Sequence, residues 1–197
     1  EIRQAFLDED KEKAAQLTRN NFNGLAAYEE KDETPFRFGS FTTMGELYVE
    51  TGLNELRMSN YRRILSLDSA MVVVQFDKDG VQYQRKYFIS YPDSVMVMKF
   101  TANQSGKQNL ILSYCPNSEA KSNLRADGKD GLVYTGVLDN NGMKFAFRIK
   151  AIHKGGTLEA ENDRLIVKGA DEVVFLLTAD TDYKMNFNPD SKTRKRM

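Results

Sequence analysis

One cysteine, one histidine, no surplus of either charge and no long apolar run: each shortage in this sequence removes a class of function. Cys115, standing alone, cannot close an internal disulfide, and cysteine ligands cannot build a metal centre. A chain without disulfides is compatible with either the cytosol or the periplasm. His153 is the sole histidine, so a catalytic triad or a multi-histidine metal site would have to be built around it. The 28 basic and 28 acidic residues balance, and no whole-chain field favours nucleic acid or an anionic membrane. Apolar runs such as "MVVV" at Met71–Val74 fall far short of the roughly 20 residues a membrane helix needs.

The 197 residues suffice for one large all-β domain with a single core. The opening "EIRQAFLDED" shows no charged leader followed by an apolar stretch, and the chain starts without Met, as a piece of a longer protein would. The closing "SKTRKRM" reads as a frayed basic terminus or the start of a linker.

Helical spacing occurs only near the front. Ala14, Leu17 and Phe22 recur on one face, Asp8, Glu9 and Asp10 stand before them, Gly24 offers a stop, and Ile2, Phe6 and Leu7 suggest a preceding turn. The expected helical segment covers about 2–23. From Leu25 to Phe41 the pattern dissolves around Pro35 and Gly39 into a loop with aromatic anchors.

Everything after that reads as sheet. "GELYVET", "YRRILSLD", "AMVVVQFD", "VQYQRKYFIS", "VMVMKFTA" and "KQNLILSY" follow one another across short turns, of which "KDG" before Val81 marks the clearest hairpin. Pro116–Asp130 is polar and carries no strand signal. Beyond it come "LVYTGVLD", "MKFAFRIKAIHK", "TLEA", "LIVKG" and "EVVFLLTA". About ten antiparallel strands with short connections predict a sandwich or barrel. In "MKFAFRIKAIHK", Phe145, Phe147, Ile149, Ala151 and His153 share one face, with Lys144, Arg148 and Lys150 opposite. The Val81, Tyr83, Arg85, Tyr87 row alternates with Gln82, Gln84, Lys86 and Phe88, the pattern of a strand between two layers.

Chemistry is sparse. No nucleophile elbow, phosphate loop, zincin helix or paired metal-ligand motif appears. His153 reads as a strand-end residue beside a glycine turn, and Cys115 as a half-buried strand-end thiol. A glycosidase needs two carboxyl groups, about 6.5–9.5 Å apart in an inverting enzyme. Glu46, Glu50, Asp127, Asp130, Asp171 and Glu172 are the available candidates, each in a turn or on a polar face where acidic residues are ordinary. Tyr28, Phe36, Phe38 and Phe41 could stack on sugar rings or anchor the loop to a neighbouring surface.

The stretch "YRRILSLDSAMVVVQFDKDGVQYQRKYFISYPDSVMVMKFTA" resembles the amino-terminal β domain of glycoside hydrolase family 95, the α-L-fucosidases. "FGSFTTMGELYVE" upstream and "GGTLEAENDRLIVKGADEVVFLLTADTDY" downstream are similar to flanking segments of that domain, in the same order, so the likeness runs from Glu1 to about Pro189. Phe41, Thr42, Thr43, Met44, Gly45 and Glu46 stand where many relatives carry aromatic-Gln-Pro-Leu-Gly-Asp. The resemblance implies a large antiparallel β-sandwich of the mutarotase-like super-sandwich type over 1–190, lacking its early strands, with 191–197 a tail or linker start. It implies a parent enzyme that hydrolyses α-L-fucosyl or α-L-galactosyl bonds by inversion, in the periplasm or outside the cell. The parent's catalytic groups would lie in an (α/α)6 barrel of the same polypeptide, so no catalytic, metal or cofactor residue is assigned here, and no cofactor is expected. Phe36, Phe38 and Phe41 are the expected interdomain or sugar contacts. A free-standing carbohydrate-binding module, or a structural sandwich dimerising through strand edges, are the alternatives.

Overall fold

The computed structural model describes residues 2–22, 43–54, 56–116, 120–138 and 142–183. The chain divides into two units, Glu1–Thr43 and Met44–Met197. In the first, α1 (Ile2–Leu7) and α2 (Lys11–Phe22) stand where one helical segment with a preceding turn is expected. The acidic run makes the break. Glu9 takes φ 58°, and the Asp10 carboxylate accepts the Lys13 backbone N–H at 3.0 Å, capping α2. Among the described side chains of the pair, Ala5 and Ala14 are buried.

The second unit is an antiparallel β-sandwich. Its strands are β1 (Gly45–Glu50), β2 (Ser59–Ser66), β3 (Met71–Lys78), β4 (Val81–Ser90), β5 (Val95–Ala102) and β6 (Gln108–Pro116), then β7 (Ala120–Asp127), β8 (Gly131–Leu138), β9 (Lys144–Lys154), β10 (Thr157–Glu161), β11 (Arg164–Ala170) and β12 (Glu172–Thr181). Four strands form one sheet in the order β1-β6-β11-β10, and eight form the other as β2-β3-β4-β5-β12-β9-β8-β7. The β3–β4 hairpin closes at Asp79-Gly80, both with positive φ, the turn geometry that Asp-Gly favours.

β7 corrects the sequence reading, which left Pro116–Asp130 without a strand. It pairs with β8 from Ala120↔Leu138 to Asp127↔Gly131. Leu124 is its one sizeable apolar side chain packed on the core, too little to produce a period-two signal. Hydrogen bonding to β8 supplies what the side chains do not.

The core lies between the sheets. Leu110, Leu112, Tyr114, Leu165 and Val167 from the small sheet meet Met98, Phe100, Leu132, Tyr134, Phe145, Phe147, Ile149, Val173 and Phe175 from the large one. β9 alternates buried and exposed from Lys144 to Ala151, as its sequence pattern requires. His153, though on the inward row, is exposed where the strand leaves the cover of the small sheet.

Among the described residues, eight strands facing four leave part of the large sheet uncovered. The row Leu65↔Val72↔Tyr87↔Met98↔Phe175 starts on β2 and ends in the core, so all five side chains share the inner face. Met98 and Phe175 are buried, Tyr87 and Val72 half-buried, and Leu65 is 65% exposed. Among the described residues, one end of this flank has its own cover: Phe76, Val81 and Tyr83 pack with Leu53 and Met58, and Lys78 Nζ donates to the Leu56 carbonyl.

Candidate functional surfaces

Five of the six candidate carboxylates are engaged in structural bonds. Asp127 and Asp130 pair with Arg148 and Lys150 at 3.0 and 3.2 Å, and Glu172 with Lys99 at 2.7 Å, all on the outer face of the large sheet. Asp171 accepts the Gly106 N–H at 2.8 Å, tying the turn before β6 to the start of β12. Glu46 accepts the Tyr48 hydroxyl on the outer face of the small sheet, and this bond raises the Tyr48 phenol above its ordinary value. Glu50 is exposed on the same face. A catalytic acid of the kind a glycosidase uses sits in a desolvating pocket; none of these six is buried.

The surface ion pairs contribute little. With Lys99 and Glu172 side chains 39% and 37% exposed, solvent screens their attraction. Glu172→Gln is expected to lower unfolding free energy by no more than about 1 kcal/mol in urea titration. A larger loss would mean that the outer face carries a network beyond the pair.

His153 Nδ1 lies 2.8 Å from the Gly155 carbonyl. A carbonyl only accepts, so this ring nitrogen carries the proton in that contact. Cys115 is exposed at the end of β6, not half-buried as expected; its Sγ is 4.0 Å from the Pro116 carbonyl. The register puts Cys115 beside Glu46 in the small sheet and His153 beside Val173 in the large one, so the two are not brought together as nucleophile and base. Tyr28, Phe36, Phe38 and Phe41 lie outside the described residues.

The sequence reading did not single out Arg85 or Gln108. They line a small cleft with Thr51, Leu53, Tyr83 and Gln84. The Arg85 guanidinium lies 5.1 Å from the Phe76 ring centre and 5.9 Å from that of Phe100, stacked as a cation on two rings. Gln108 is 4% exposed and its amide nitrogen has no hydrogen-bond partner among the described residues. The cleft's free volume of about 10 Å³ admits one water. Sugar-sized ligands need pockets of several hundred Å³, so this is no glycan site. The signal available in the sequence was Arg85 interrupting an otherwise apolar and aromatic inward row.

Three inner-face tyrosines resist ionisation. Burial raises the phenols of Tyr83, Tyr87 and Tyr114 above 10.0, with Asp79 adding at Tyr83, Arg85 opposing at Tyr87, and Tyr134 adding at Tyr114. A raised folded value means the unfolded chain loses its protons first. The stability these groups contribute is therefore fully present below pH 10.0, the unfolded value, and is lost as pH rises from there through the folded values. The urea midpoint is expected to hold just below that pH and drop above it. A midpoint unchanged while tyrosine absorbance shows ionisation would contradict this account.

Comparison with known proteins places these surfaces in context. A family model described as "Glycosyl hydrolase family 65, N-terminal domain" matches residues 1–186. It carries the number 65, whereas the sequence resemblance pointed to family 95. "Probable alpha-fucosidase A" of Aspergillus niger is 29% identical over 171 residues, covering 81% of this chain and 20% of that protein. "Alpha-L-fucosidase 2" of Arabidopsis thaliana is 23% identical over 167 residues, covering 73% and 20%. The chain thus spans about a fifth of the length of these relatives. A solved structure, "Putative kojibiose phosphorylase from human microbiome", superposes with TM-score 0.49 at 10% identity over 70% of this chain and 22% of its own.

Proposed function

The chain belongs to the family of glycosyl hydrolase family 65 N-terminal domains, and from that premise we propose that it is the non-catalytic β domain of an α-L-fucosidase-like hydrolase of family 95. The observation that carries the reading is the match of most of this chain to one fifth of two proteins named as fucosidases. The engagement of its carboxylates in ion pairs and backbone bonds supports it.

On this reading the parent enzyme cleaves a terminal α-L-fucosyl or α-L-galactosyl bond by inversion. A carboxylic acid of raised pKa protonates the leaving oxygen while an activated water attacks the opposite face. Both groups come from an (α/α)6 barrel in the same polypeptide, in the periplasm or outside the cell. The domain occupies 1–190, residues 191–197 begin a linker, and Phe36, Phe38 and Phe41 contact the barrel or the glycan. Its work is to dock on the barrel and form one wall of the cleft.

The test sets this chain beside the full-length product of its gene, each given a fucosylated oligosaccharide. The longer protein should release β-L-fucose as the first anomer, seen by proton NMR before mutarotation, and the isolated chain should release none. Sustained release by the isolated chain would overturn the reading. Amide shifts without release would make the chain a carbohydrate-binding module instead.

A further inference from the structure

We propose that the cleft between β4 and β6 binds a single halide ion, chloride under ordinary conditions, held by the Arg85 guanidinium and the Gln108 side-chain amide. The site goes beyond the functional reading above and does not depend on it, because every group it uses belongs to this chain.

Three features of the cleft point to an anion. The first is a buried donor with nothing to donate to. Gln108 lies on the inward row of β6 with Leu110 and Leu112, lines the cleft, and is 4% exposed; its Nε2 has no hydrogen-bond partner among the described residues. An unpaired amide N–H in the interior is costly, so an occupant that accepts from it is favoured.

The second is a cation without an anion. Arg85 is half-buried on the inner face of β4, stacked on Phe76 and Phe100, and it forms no ion pair among the described residues. Aromatic rings contact a guanidinium through its charge and leave its N–H donors, which lie in the plane of the group, to find acceptors elsewhere. The charge is felt inside the protein: Arg85 opposes the rise that burial gives the Tyr87 phenol. A half-buried cation of this kind gains from a counter-charge that water cannot supply.

The third is the balance of groups and the size of the space. Lys107 also lines the cleft, and among the described residues no Asp or Glu does. Asn109 Oδ1 already accepts the Gly169 N–H at 3.0 Å, which leaves its amide nitrogen to donate. Lined largely by donors, the space of about 10 Å³ takes one occupant the size of a water. Water must also give its two hydrogens to acceptors, whereas a halide accepts from every donor at once and neutralises Arg85. Phosphate, sulfate and sugar acids are too large to enter; a halide is one atom. Bound there, the ion joins β4 of the large sheet to β6 of the small one, and binding that requires the folded state stabilises it.

The test uses this chain, sodium chloride as the probe, and sodium gluconate, too large for the cleft, to hold ionic strength constant. The chloride NMR line should broaden in the presence of the protein and sharpen when bromide competes. Gln108→Met keeps the side-chain volume and should weaken chloride binding by at least about tenfold, the effect of losing one hydrogen bond to a charged group. Arg85→Met should abolish it. Urea midpoints give a second readout. In gluconate Gln108→Met should be at least as stable as the unchanged chain, because it removes an unpaired buried amide; as chloride replaces gluconate, the unchanged chain alone should gain, and the gain should saturate. General salt effects act on both proteins alike, so the difference between them reads the site. Chloride broadening equal in the unchanged chain and the two variants overturns the proposal, as does its absence, or a midpoint difference indifferent to chloride. Should either variant fold poorly, a crystal of the unchanged chain grown in bromide decides: an anomalous peak in the cleft supports the site, and a cleft holding water alone overturns it.

Discussion

Phe175→Ala is expected to lower the unfolding free energy by about 3–5 kcal/mol, among the largest losses available to a single substitution in this fold. Phe175 is fully buried in β12, between β5 and β9 at the centre of the large sheet, and meets the Phe100 ring edge-on with centroids 5.8 Å apart. Truncation removes the apolar area of the ring and leaves a cavity that three hydrogen-bonded strands cannot close without breaking register. Urea titration of the variant measures the loss. A deficit under about 1.5 kcal/mol would mean that the two sheets relax together, and that the inter-sheet core is not close-packed at this point.

Tyr134 supplies the matching control. It is also fully buried, among Tyr114, Phe145 and Phe147; its hydroxyl lies close enough to that of Tyr114 to raise the Tyr114 phenol but makes no hydrogen bond of normal geometry among the described residues. Tyr134→Phe removes a poorly bonded buried hydroxyl and keeps the ring, so stability should change by no more than about 1 kcal/mol. The comparison separates the stabilisation due to apolar volume from any due to polar atoms in the same core.

Gly156→Ala should be nearly as damaging, for a steric reason. A Cβ there would sit on the Lys168 carbonyl and come within 2.6 Å of the Ala170 nitrogen. Those atoms belong to the bulged part of β11, where the register shifts between Val167 and Ala170 and Gly169 itself takes φ 63°. Backbone cannot swing aside as a side chain can, so the β9–β10 turn must separate from β11. Strain from positive φ adds about 1–3 kcal/mol and overpacking about 1–3 more. Gly80→Ala isolates the first contribution: its φ is 76° and nothing lies within 4 Å of the added carbon. Ala70 already tolerates φ 49° in an exposed turn, which shows that conformation alone is bearable here. If thermal unfolding shows the two alanine variants losing equally, the close approach at Gly156 does not decide its cost.

The sites divide along similar lines. The roles of Glu172, Asp127 and Asp130 depend on which cation a neighbouring strand brings opposite them, and those cations lie 73, 21 and 20 residues away in sequence for Lys99, Arg148 and Lys150. No local pattern carries that information. Cys115, expected to be half-buried, is exposed because it lies on the outward row of β6 beside Glu46, whereas its neighbour Tyr114 points into the core. Arg85 and Gln108 gained meaning only when β4 of the large sheet and β6 of the small one were brought to a common cleft, with Phe76 and Phe100 beneath the guanidinium.

The sequence by itself determined the strand-rich class, most strand positions, the Asp79-Gly80 hairpin and the inward face of β9. These follow from period-two alternation and turn chemistry, which act within a few residues. Tertiary structure alone decided the division into eight strands and four, the pairing of β5 with β12 and the existence of β7. Backbone hydrogen bonds are alike for every strand, so the choice of neighbour is made by the packing of whole faces, a property of the assembled sheets.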